Sequence, residues 1–212
     1  MKELAKAIIN DLNENYEYVD MPVALQRRYC TKFLGEQHDN ENGSFDYKVN
    51  QLVEKFSEIN TKIEYQPFIK SNNKNPNPNI VETIFLNFGQ KKVFACLNES
   101  QFDGAFSMTS SELKEFISNS KEQIKEHIKT FPYSSQRSDF SLSISDKQVQ
   151  RTLWQEFLDE SNKKRHEVAH GNDFDNFDSI SVLESRKDKI LLLQLALVEL
   201  MACHLSEKLS SI

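Results

Sequence analysis

The sequence predicts an all-α fold, and three observations carry that reading. Apolar residues recur three and four positions apart over most of the chain, and several of these runs open on a capping side chain with Glu or Gln three residues later. Glycine and proline, five of each, are too few for a long low-complexity region and fall mostly between the runs.

Taken in order, Leu4, Ala5, Ile8, Ile9 and Leu12 make an amphipathic first helix, interrupted too often by charged and amide residues to serve as the apolar core of a signal peptide. Pro22, which suits a first helical turn, opens a second helix towards Gln37 through Leu25, Tyr29, Phe33 and Leu34, with Gly43 and its polar neighbours ending it. Val49, Leu52, Val53, Phe56 and Ile59 share one face of a third helix over about Asp46 to Lys62. The Asn-Pro-Asn-Pro stretch within Lys70 to Asn79 reads as a loop, because each proline removes a backbone donor and disfavours helix before it.

Asn79, with Glu82 three residues on, caps a short helix that stops at Gly89. The segment 91–108, from Val93 and Phe94 to Asp103-Gly104, fits either a small hairpin or an irregular connection. A longer helix follows from Ser110 or Ser111 to about Thr130, striped by Leu113, Phe116, Ile117, Ile124 and Ile128 and stopped by Pro132; the Ser-rich Tyr133 to Ser145 is a loop. Ser145 with Gln148 resembles a capping box for a penultimate helix whose buried face is Val149, Leu153, Trp154, Phe157 and Leu158, broken by Gly171. Ser181 with Glu184 starts a terminal helix that is apolar almost all round, and such a helix belongs in a core or a subunit interface. Residues 1–70 thus read as a helical region packed on a bundle formed by 71–212, together one compact domain.

Composition limits the function classes. Cys30, Cys96 and Cys203 are odd in number and lack a C-x-x-C pair, which suits buried thiols in a reducing, cytoplasmic setting. The longest apolar stretch, Ile190 to Cys203, contains Gln194 and Glu199 and falls short of the roughly 20 residues a membrane span needs, so no membrane association is expected. A net charge of −6 means that nucleic-acid binding would require a local basic patch or the pairing of two chains.

Chemistry concentrates in Lys163-Lys164-Arg165-His166-Glu167-Val168-Ala169-His170-Gly171, which packs two imidazoles, a carboxylate and three cations beside a helix end. Residues four apart share a helical face, so His166 and His170 converge, and Arg165, about a turn and a half from His170, can curl towards the same spot. One reading is H-E-x-x-H from His166 to His170, two zinc ligands and a general base; against it stand the flanking cations, which oppose a dication, and the missing third ligand, since Asn176 stands ten residues after His166. Another is that cations merely complement the helix dipole ahead of a terminating Gly171.

A third reading is R-x4-H, from Arg165 to His170, with a polar residue directly after the arginine and Ala-His-Gly at the end. Here the sequence resembles the HEPN superfamily, particularly its toxin-like and RiboL-PSP-type ribonuclease branches, over about Ser145 to the carboxyl terminus. The resemblance implies a HEPN-like helical bundle and a homodimeric, metal-independent endoribonuclease that needs no cofactor. His170 would be the base, or the acid for the leaving oxygen, Arg165 the phosphate clamp and His166 a helper, while Lys163, Lys164 and Glu167 would line the RNA-binding surface. The same resemblance implies a toxin-antitoxin or antiphage role, restrained by an antitoxin or a sensor protein. Some HEPN folds are inactive and serve as binding or dimerisation modules, so that alternative is open too.

His127, beside Ile124 and Ile128, reads as a boundary histidine, and His204, next to Cys203, as core packing.

Overall fold

A computed structural model describes residues 2–35, 44–69, 77–144, 151–170 and 178–209. Among these residues every regular element is helical and no strand occurs: the fold is all-α. The elements are α1 (Lys2–Asn15), α2 (Val23–Leu34), α3 (Ser44–Glu58), α4 (Gln66–Ile69), α5 (Pro78–Leu86), α6 (Val93–Leu97), α7 (Ser110–His127), α8 (Leu153–Ala169) and α9 (Ile180–Leu209), with short 3-10 turns at Tyr18–Asp20, Gln101–Phe106 and Arg137–Phe140. The chain divides into two compact units, one of Met1–Lys74, Thr83–Lys91 and Lys208–Ile212, the other of Asn75–Glu82 and Lys92–Glu207.

In the first unit α1 buries Ala5, Ile8, Ile9 and Leu12, the stripe its sequence predicts. Leu25, Tyr29 and Cys30 are the buried side of α2, which Pro22 opens and which Gly35, at φ 83°, ends. The end therefore comes earlier than the sequence suggests, at a glycine that takes a left-handed conformation without a Cβ penalty. Gly43 lies outside the described residues. Tyr29 sits at the middle of an aromatic cluster, its ring 5.8 Å from Phe56 and 6.1 Å from Phe68. Ile59, expected on the buried face of α3, is exposed, because the helix stops at Glu58 and the chain reverses through Asn60 at φ 46°.

The second unit contains the site. The cap of α5 is Asn77, whose side-chain oxygen accepts the Ile80 N–H at 2.9 Å, not Asn79. Glu82 has a different task from the one expected. Its carboxylate accepts the N–H groups of Val93 at 3.0 Å and Phe94 at 3.2 Å, the orphan donors at the start of α6. The segment 91–108 is thus no hairpin but α6 followed by a 3-10 turn, in which Phe102 stacks on Phe140 at 4.8 Å. Arg137 reaches along α9 to hold Glu207 with two nitrogens, at 2.6 and 3.0 Å, and donates a third bond to the Ser143 carbonyl at 3.2 Å.

Thr109 and Glu112 close a capping box on α7, and Thr152 and Gln155 close one on α8. Thr152 is therefore the N-cap of α8, and Arg151 and Thr152 lie outside the helix; the Ser145–Gln148 box expected there, and Val149, lie outside the described residues. Leu153, the first helical residue, is half-exposed, whereas Trp154, Phe157 and Leu158 are buried as expected. Thr152→Ala removes the acceptor for the Gln155 N–H and is expected to cost about 1 kcal/mol, read as a lowered urea midpoint at unchanged slope.

The terminal helix is longer than the apolar stretch read from the sequence. It has 30 residues, and its most apolar 18-residue window has a mean hydropathy of 1.6, so by length and composition alone α9 suffices to cross a membrane. Within this fold 61% of that window is buried, through Leu192, Leu193, Ala196, Leu197, Leu200 and Met201, among others. Ser179, two residues before the Ser181 expected as cap, accepts the Val182 N–H at 3.4 Å. All three cysteines are buried and none forms a disulfide.

Candidate functional site

The cation-rich motif occupies the carboxyl-terminal half of α8. Trp154, Phe157 and Leu158 anchor the opposite half through ring contacts of Trp154 and Phe157 with each other and with Phe106. Beyond Leu158 the apolar stripe runs out, so the last turns stand in solvent. Lys163, Arg165, His166, Val168, Ala169 and His170 are exposed, with Lys164 and Glu167 partly covered.

The helix ends where the motif does. His170 is its C-cap residue, and its backbone N–H donates to the His166 carbonyl at 3.0 Å. That turn brings the two imidazoles edge to face with ring centroids 4.2 Å apart, the pairing that four-residue spacing on a helix dictates. Lys163 and Glu167, also four apart, form a 3.9 Å ion pair along the helix side, so one of the three cations is partly offset by the motif's own carboxylate. Gly171, expected to break the helix, lies outside the described residues, as do Asp173 and Asp175.

Arg186 on α9 holds Glu160 of α8 at 2.9 Å and Asp178 at 3.4 Å. This bridge ties α8 to the start of α9 and occupies two carboxylates that would otherwise repel a polyanion. An open polar cleft of about 320 Å³ lies at the other end of α8, lined by Asn77, Pro78, Asn79, Arg151, Gln155 and Asp159. It contains no motif residue, and its α8 lining residues, Gln155 and Asp159, lie about 16–22 Å along the helix from His170.

A second constellation was not read from the sequence. His127, the last residue of α7, places Nδ1 2.8 Å from Oε1 of Glu199 on α9, and Nε2 3.6 Å from Oδ2 of Asp139 in the 3-10 turn. Glu199 is fully buried, with Ser135 Oγ donating to its second oxygen at 3.3 Å and Cys203 Sγ lying 3.7 Å from the first. Burial pushes the Glu199 carboxyl above the usual carboxylate range, while the His127 and Ser135 hydrogen bonds pull it back and Asp139 adds to the rise. Burial likewise pushes the Cys203 thiol far up, leaving it a poor nucleophile. His127 is therefore no passive boundary residue. A signal was present: Glu199 interrupts an apolar helix, and a buried charge requires a partner.

Comparison with known proteins brings no relative to either constellation: no family model, no curated protein and no solved structure matches the chain.

Proposed function

We propose that the chain is a metal-independent endoribonuclease of the HEPN type, acting as a homodimer through Arg165, His166 and His170. The observation that carries this reading is the exposed end of α8, where the two imidazoles pack at 4.2 Å and Arg165, next to His166 in the chain, is exposed as well. An RNA phosphate needs such an open, cationic helix end, and a buried one would exclude it.

The chemistry follows from the side chains. His170 takes the proton of a ribose 2′-hydroxyl, the 2′-oxygen bonds to the adjacent phosphorus, and the bond to the 5′-oxygen breaks, leaving a 2′,3′-cyclic phosphate. The departing 5′-oxygen takes its proton from an imidazolium, which the twin motif of a second copy supplies. Arg165 stabilises the charge that builds on the phosphoryl oxygens, and His166 orients its neighbour or contacts phosphate. Val168, Ile180 and Leu183, each more than half exposed on the last turn of α8 and the first turns of α9, offer apolar surface for that second copy. Pairing would also double the local positive charge on a chain whose net charge is −6. Lys163, Lys164 and Glu167 border the RNA track. A toxin or antiphage effector held in check by a partner protein is the biological role this activity suits.

The paired imidazoles equally support a second reading, a zinc-dependent hydrolase with His166 and His170 as ligands and Glu167 as base. One experiment separates them. Purified protein is incubated with a defined RNA in excess EDTA, and the product ends are identified. Cleavage that persists and leaves 2′,3′-cyclic phosphate and 5′-hydroxyl ends is the expected result. Activity lost to the chelator favours zinc, and a dimer that cleaves no RNA favours a binding module.

A further inference from the structure

We infer that His127 and Asp139 bind a divalent transition-metal ion of the zinc class, with Glu199 orienting the imidazole from behind. One donor atom from each of the three side chains lies within 4.8 Å of the other two, and the three come from α7, the 3-10 turn and α9.

The asymmetry of the two carboxylates assigns their roles. Nδ1 lies 2.8 Å from Glu199, at hydrogen-bond distance, and an ion that takes the Nε2 lone pair leaves the proton on Nδ1, where the buried carboxylate accepts it. That bond fixes the tautomer and turns the Nε2 lone pair towards Asp139, 3.6 Å away. Two electron-rich atoms facing each other repel unless a cation stands between them. A proton would draw them into a charge-assisted bond of about 2.7–2.9 Å, shorter than the spacing observed. Two ligands of one zinc ion, each bonded at about 2.0–2.2 Å, stand roughly 3.3–3.6 Å apart at a tetrahedral angle, and the spacing fits that.

A carboxylate behind a metal-bound histidine is the usual means of holding the ring and raising its basicity. The solvent side completes the arrangement. His127 and Asp139 side chains are 16% and 27% exposed, while Glu199 is at 0%, so an ion enters and takes its remaining ligands as water on one side only. The imidazole ligand favours zinc over calcium or magnesium. Such an ion would join α7 to the 3-10 turn, with Glu199 of α9 holding the ligating imidazole from behind, well away from the proposed RNA motif in sequence and independent of it.

The test titrates Zn²⁺ into the full chain carrying His166→Ala and His170→Ala, so that the α8 imidazoles contribute nothing, with bound metal counted after dialysis and Tm followed in parallel. One ion per chain and a raised Tm are expected. Asp139→Asn in the same background keeps an oxygen acceptor for the Gln136 N–H yet should bind at least about tenfold more weakly and lose the Tm rise, and Glu199→Gln should weaken binding by about 10- to 100-fold. Absence of binding in the parent, or binding that Asp139→Asn leaves unchanged, would overturn the assignment.

Discussion

Arg165→Ala and His170→Ala are each expected to lower RNA cleavage by about a hundred- to ten-thousandfold, with the fold intact. Both side chains are exposed near the carboxyl-terminal end of α8, so truncating them removes no core contact. Their loss should therefore appear in the rate and not in the unfolding midpoint. The ranking across the motif is more informative than any single variant. In a 2′-hydroxyl mechanism Arg165 and His170 dominate, His166→Ala costs less, and Glu167→Ala costs little because that carboxylate is engaged with Lys163 at 3.9 Å. A zinc-dependent mechanism inverts the order: His166, His170 and Glu167 become essential and Arg165 dispensable. Single-turnover rates of the four variants on one RNA, with and without EDTA, decide between these orders.

How much of this could be read in the sequence depended on the range of the interaction. The stripe of α1, the buried Leu113, Ile117 and Ile124 of α7 and the position of the motif at the end of α8 are local consequences of helical periodicity, whereas Ile128, read into the α7 stripe, is exposed because the helix stops at His127. Errors arise where a local signal has a distant use. Glu82 looks like the third residue of a capping box, but its carboxylate caps a helix eleven residues further on. Segment 91–108 is too short in each of its turns for periodicity to distinguish helix from strand, and Val93 and Phe94 favour strand on propensity alone. The backbone at Lys92, φ 53°, and Glu99, φ 60°, breaks it into two short helical pieces. The His127 cluster joins positions 127, 139 and 199, separations that no sequence window spans. Glu199 was visible as an anomaly, but nothing nearby in the chain said which residue would compensate it.

That compensation sets the second large effect. His127→Ala in metal-free protein is expected to destabilise the fold by about 3–5 kcal/mol, far more than a histidine with 16% of its side chain exposed would cost through lost packing. The reason lies in what remains. Glu199 is fully buried on α9, and without the imidazole the Ser135 hydroxyl at 3.3 Å and the weak Cys203 donor are what face its oxygens among the described residues. An uncompensated carboxylate at that depth must either keep its charge at high cost or take up a proton. Adding Glu199→Gln to His127→Ala removes the charge while keeping the side-chain volume, so the double variant should recover much of the loss. Equilibrium urea unfolding of the two singles and the double gives the coupling energy directly. If the double variant is as unstable as the sum of the singles, His127 acts through packing against Phe140, 6.3 Å from its ring, and not through the buried charge.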